Sequence, residues 1–77
     1  MTESKTYKAR QGHMIKTTIS GTDQGCQTVY TVRSELVSPN GDVMRTFFAD
    51  GWAAFNKADA RRIRASQVRD CREAIPA

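Results

Sequence analysis

The chain is poor in the residues from which small catalytic or metal centres are built. It has one histidine, His13, and two cysteines, Cys26 and Cys71, separated so widely that neither has a second Cys or His within a few residues. Zinc sites need such pairs at short spacing, so no metal is expected. His13 has no acidic or nucleophilic neighbour in sequence and reads as an ordinary surface or strand residue. No apolar run approaches the ~18 residues of a membrane-spanning helix, and no charged segment followed by an apolar one opens the chain. The expectation is a cytoplasmic protein with no membrane partner and, by default, two free thiols, the sequence leaving a Cys26–Cys71 bond open. Glycines cluster at Gly21-Thr22-Asp23-Gln24-Gly25, but no Lys-Ser/Thr follows and the next segment is strand-like, which excludes a phosphate-cradling loop. That stretch reads as a loop. Carboxylate pairs and nucleophile–base sets are also missing. Tyr30 and Asp50, expected to face each other at a sheet end, form the one acid–base combination, and such pairs are ordinarily structural. The chain is therefore read as a non-enzyme without a cofactor.

What is present in quantity is positive charge. Twelve basic residues oppose eight acidic ones in 77 residues. From Asn56 onward six cations (Lys57, Arg61, Arg62, Arg64, Arg69, Arg72) meet three carboxylates (Asp59, Asp70, Glu73), so that segment holds +3 of the net +4. A basic patch suits a polyanion or an acidic protein surface. One domain of this size buries only about 60–65% of the surface its unfolded chain exposes, which leaves its stability thin and favours association.

The chain is organised around Gln27 to Phe48, which reads as a β-hairpin. In its turn, Ser38-Pro39-Asn40-Gly41-Asp42, Pro39 presets φ, Asn40 suits the next position and Gly41 takes the positive φ of a bulge, so that Ser38 pairs with Asp42. Counting back gives Leu36 opposite Met44, Ser34 opposite Thr46, Val32 opposite Phe48 and Tyr30 opposite Asp50 on the inner face. The outer face receives Val37 with Val43, Glu35 with Arg45, Arg33 with Phe47 and Thr31 with Ala49. Met14 to Ser20 alternates Ile15, Thr17 and Ile19 with polar residues and reads as a half-buried strand. Residues 1–12, with Tyr7 the only large apolar side chain, read as a flexible basic arm, and residues 13–77 as one domain.

After an apolar connector that breaks at Gly51, Asn56 is a helix N-cap with Asp59 three residues on, and Phe55 is placed to staple on Ala60. The helix is expected from about Lys57 to Ala74, before Pro76. Ala60, Ile63, Gln67, Cys71, Ala74 and Ile75 share the side that should cover the sheet, interrupted by Arg64 and by the polar Gln67, with Trp52 and Phe55 closing the end. The fold expected is α+β: a three-stranded antiparallel meander packed against one C-terminal helix.

Two binding surfaces follow. Lys57, Arg61, Arg62, Arg69 and Arg72, joined by the N-terminal arm, suit the phosphates of RNA or DNA. Arg33, Val37, Val43, Arg45 and Phe47 form an outer sheet face fit to stack bases, to meet another protein, or to bury against a second copy in a homodimer. The expected function is a small nucleic-acid-binding module, with a protein-interaction or inhibitor-type regulatory protein as the alternative.

Three strands followed by a helix opening Asn56-Lys57-Ala58-Asp59-Ala60-Arg61-Arg62 is locally similar to the C-terminal half of double-stranded-RNA-binding domains. The resemblance implies phosphate contacts by Lys57, Arg61 and Arg62. It covers about ten residues, and the chain departs from that family in having no first helix and no histidine between Gly21 and Cys26.

Overall fold

Local turn chemistry sets the centre of the molecule as expected. In the computed structural model, which describes residues 2–50 and 54–76, the Ser38 amide donates to Asp42 O at 2.8 Å, the Gly41 amide to Ser38 O at 2.9 Å, and Gly41 takes φ 93°. Four strands follow one another as an antiparallel meander: β1 Thr2–Lys8, β2 Met14–Gln24, β3 Gln27–Val37 and β4 Val43–Ala49. One helix, α1 Lys57–Glu73, packs on one face of the sheet, chiefly over β3 and β2. The architecture is α+β with four strands, one more than the sequence suggested.

The extra strand is the segment expected to be an arm. β1 pairs with β2 along its whole length, from Thr2 with Ser20 to Lys8 with Met14. The Thr17 hydroxyl donates to Lys5 O at 2.8 Å, and the Lys5 ammonium lies 5.1 Å from the centre of the Tyr7 ring. The stretch from Gly21 to Gln24 is also strand rather than loop. β2 continues to Gln24, and Gly25-Cys26 alone makes the hairpin turn, Gly25 supplying φ 69°. Gly21 sits opposite Tyr30, whose ring lies so close that a Cβ at Gly21 would come within 2.9 Å of it. The tyrosine thus covers the gap a glycine leaves in a strand.

The register between β3 and β4 begins as expected, with Val37 opposite Val43, and then slips. A bulge between Leu36 and Val37 lets β4 carry an extra residue, so that Leu36 faces Arg45, Glu35 faces Thr46, Ser34 faces Phe47, Arg33 faces Phe48 and Val32 faces Ala49. One residue of slip exchanges the faces of everything beyond it. The expected Glu35–Arg45 pair is therefore absent; Glu35 meets Arg33 instead, at 3.5 Å. Tyr30 no longer faces Asp50, and its amide donates to Ala54 O at 3.1 Å. Phe47 turns inward and Phe48 outward.

Two apolar clusters hold α1 to the sheet. Ile15, Leu36, Val68, Cys71 and Ile75 form one, with Tyr7 and Phe47 against it; Ile19, Tyr30, Val32, Ala54 and Ala60 form the other, with Ile63 against it. The expected helical face is the buried one, with Val68 added. The interrupting Gln67 is buried and satisfied: its Oε1 accepts from the Ser34 hydroxyl at 2.7 Å and its Nε2 donates to Val32 O at 3.1 Å. Asn56 caps the helix, its Oδ1 accepting from the Asp59 amide at 2.8 Å. Phe55 stands half exposed, and Gly51 and Trp52 lie outside the described residues.

Both thiols are free, Cys26 exposed at its turn and Cys71 buried. Burial first, and the Asp70 charge second, push the Cys71 thiol above its ordinary pKa. A thiol reagent is expected to modify one cysteine quickly in the native protein, and the second only when denaturant is added. Fast modification of both would contradict the packing of Cys71 against Ile15 and Leu36.

Candidate anion-binding cleft

α1 is divided lengthwise, and the division is set by its position on the sheet. At ~100° per residue, the flank beside the buried face on one side carries Arg61, Arg72, Arg69 and Arg62, and on the other Asp59 and Asp70. Contacts with β1 show which way the basic flank lies. Glu3 accepts from Arg64 at 2.7 Å and lies 3.6 Å from Arg61. The hydrogen bond from Arg64, with the charges of Arg64 and Arg61 behind it, holds the Glu3 carboxyl below the ordinary glutamate value, against the opposing effect of desolvation. A depressed carboxyl stabilises the fold above its unfolded-state pKa, about 4.3, and that contribution is lost as pH falls through the lower folded-state value. Thermal melts across this acidic range are therefore expected to fall more steeply for the native chain than for Glu3→Gln. Parallel curves would show that Glu3 does not couple β1 to α1.

At the other end of β1, the chain makes a tight turn, Arg10–Gly12, with Gln11 at φ 58° and Gly12 at φ 77°. His13 is buried beside it, its Nδ1 3.1 Å from Arg10 O, in a structural role. The turn clasps the end of the helix: Arg10 Nη2 donates to Ile75 O at 2.7 Å and Gln11 Nε2 to Pro76 O at 3.0 Å. Besides satisfying orphan carbonyls, this sets the Arg10 guanidinium at the negative end of the helix dipole.

Between this turn and the last turns of α1 lies a cleft of about 730 Å³. Its floor is Ala9, Ala65 and Val68; its rim is Lys8, Arg10, Arg69 and Arg72, with Glu73 the one carboxylate among the described lining residues. Arg69 is only loosely engaged, 3.6 Å from Asp70 and 3.3 Å from the Ser66 hydroxyl, and Lys8 and Arg72 make no ion pair among the described residues. Exposed pairs of that length contribute little, so these cations can exchange them for an anion.

The five cations expected on one nucleic-acid surface are thus divided. Arg69 and Arg72 meet at the cleft, where the arm residues Lys8 and Arg10 join them. Lys57 and Arg61 sit a few turns away beside Glu3, and Arg62 projects into solvent, 81% exposed, near Asp59. The second expected surface is dispersed by the register slip. Phe47 and Arg45 belong to the helix-bearing face, Val37 is buried, and the apolar groups of β4 left in water are Val43, Met44 and Phe48.

Among the described residues no group of three His, Cys, Asp or Glu could hold a metal, and no helix is long and apolar enough to cross a membrane. No family model, curated protein or solved structure matches this chain.

Proposed function

We propose that this chain is a non-catalytic binding module that holds nucleic-acid phosphates in the cleft between the Arg10–Gly12 turn and the C-terminal half of α1. One observation carries the reading: Lys8, Arg10, Arg69 and Arg72 converge from a strand end, a turn and a helix on one concave surface, with a single carboxylate among its described lining residues. Guanidinium groups form charge-assisted, bidentate bonds to phosphate, and an alanine–valine floor allows sugar or base edges to approach without desolvating a polar group. Lys57, Arg61 and Arg62 continue the positive flank toward the start of the helix and extend the track for a second phosphate cluster.

The test is a fluorescence-anisotropy titration with random-sequence duplex and single-stranded oligonucleotides across a salt series. Binding is expected to weaken steeply as salt rises. No binding to either at 50 mM salt would end the nucleic-acid reading in favour of an acidic protein partner.

A further inference from the structure

The two edges of the sheet differ chemically. β1 carries Glu3, Lys5 and Lys8, and two arginines of α1 reach over it. Charges and covering elements of this kind blunt an edge against further pairing. β4 has neither protection. It carries one charge, Arg45, has no proline, is little covered by α1, and exposes Val43 (53%), Met44 (46%) and Phe48 (63%). Its outer backbone groups pair with no other strand among the described residues.

We propose that β4 docks a second copy of this chain by antiparallel pairing of the two β4 strands about a two-fold axis through Thr46, joining two sheets into one of eight strands. This inference is independent of the nucleic-acid reading. A two-fold axis perpendicular to the sheet keeps every side chain on its own face, so both helices lie on the same side. Centring on Thr46 brings Phe48 and Met44 of the partner subunit to the same level of the shared edge, twice by symmetry, and sets Phe47 opposite Arg45 of the partner subunit, also twice. The first draws two exposed apolar groups to the joined edge, and the second sets a guanidinium beside an aromatic ring. Neighbouring registers are worse: centring on Arg45 opposes two guanidinium groups, and centring on Phe47 leaves Phe48 opposite a threonine.

On the helix-bearing face, Arg45 is the cation that lies between the acidic flanks of the two copies. Ala74 lines one hollow with Met44 and Arg45, and Ile63 and Ala49 pack against the same cluster, so the flank of α1 facing β4 is the one with Asp59 and Asp70. Arg45 makes no ion pair among the described residues. In the paired form, the groove between the two helices is walled by these acidic flanks and floored by both Arg45 side chains.

Light scattering is expected to give a dimer mass for the native chain and a monomer mass for Phe48→Lys, with unchanged circular dichroism. Because Phe48→Lys could disturb folding, a second variant tests geometry directly. With Cys26→Ser as background, Thr46→Cys should cross-link to a covalent dimer under oxidised glutathione, since the new thiols face each other at the axis, while Lys5→Cys at the middle of β1 should not. A native chain that stays monomeric at high micromolar concentration would overturn the proposal. So would a dimer that cross-links through Lys5→Cys and not Thr46→Cys.

Discussion

Replacing Lys8, Arg69 and Arg72 together by alanine is expected to abolish most of the salt dependence of nucleic-acid binding. Four phosphate contacts in the cleft, those of Lys8, Arg10, Arg69 and Arg72, give a log–log slope of roughly −3.6 on B-form DNA at ~0.9 per contact, or about a 100-fold loss of affinity between 50 and 200 mM salt. The triple variant should lower that slope by about 2.7 and weaken binding uniformly across sequences. Arg10 is left intact because it also holds Ile75 O at the helix end, and removing it would mix a folding effect with a binding one. Arg33→Ala, on the opposite sheet face, is the control and should leave the slope unchanged. Equal losses from Arg33→Ala would mean that net charge, rather than the cleft, carries binding. A slope sensitive to Arg61→Ala and Arg62→Ala alone would move the contact to the start of the helix.

The second large effect is on stability, at the buried link between helix and sheet. Gln67→Leu keeps most of the side-chain volume but leaves the Ser34 hydroxyl, fully buried, without its acceptor and removes the donor to Val32 O. Each buried polar group deprived of its partner costs about 1–3 kcal/mol, so for two groups a loss of ~2–6 kcal/mol is expected. A domain of this size rarely has more than about 3–5 kcal/mol in total, and the variant should be substantially unfolded at modest urea concentrations. Adding Ser34→Ala removes the orphaned hydroxyl and should restore about 1–2 kcal/mol, a coupling that a double-mutant cycle measures in urea. Additive losses would show that the two side chains act independently. A stabilised Gln67→Leu would show that the interface prefers an apolar contact there.

Features governed by neighbours in sequence could be read directly from the residues. Pro39, Asn40 and Gly41 dictate the turn because φ preferences are local, and Asn56 with Asp59 fixes the start of the helix because a cap spans four residues. The apolar face of α1 follows from its period, and Gln67 could be seen to interrupt it. Its partners could not, since Ser34 lies on another element and only packing brings the two together.

The register of β4 shows where alternation fails. Phe47 and Phe48 are adjacent and equally apolar, so pattern alone cannot say which enters the core. The bulge beside Leu36 decides it, placing Phe47 against the cluster that holds Leu36 and Cys71, and leaving Phe48 exposed. β1 is a starker case. With Tyr7 its only large apolar side chain, it has almost no hydrophobic signal, and it is ordered by a ladder to β2 and by Glu3 reaching Arg64 across 61 residues of chain.

By itself, then, the sequence determined the α+β class, the Ser38–Asp42 turn, the helix with its cap and buried face, and the excess of cations on that helix. Tertiary structure alone decided that residues 2–8 form a strand, which phenylalanine faces the core, and that Lys8 and Arg10 meet Arg69 and Arg72 in one cleft. The physical reason is range. Dihedral preferences, capping and periodicity act within a few residues and leave their mark in the local sequence, whereas a bulge, an edge strand and a shared cleft are settled by which distant surfaces pack, among alternatives that differ little in local energy.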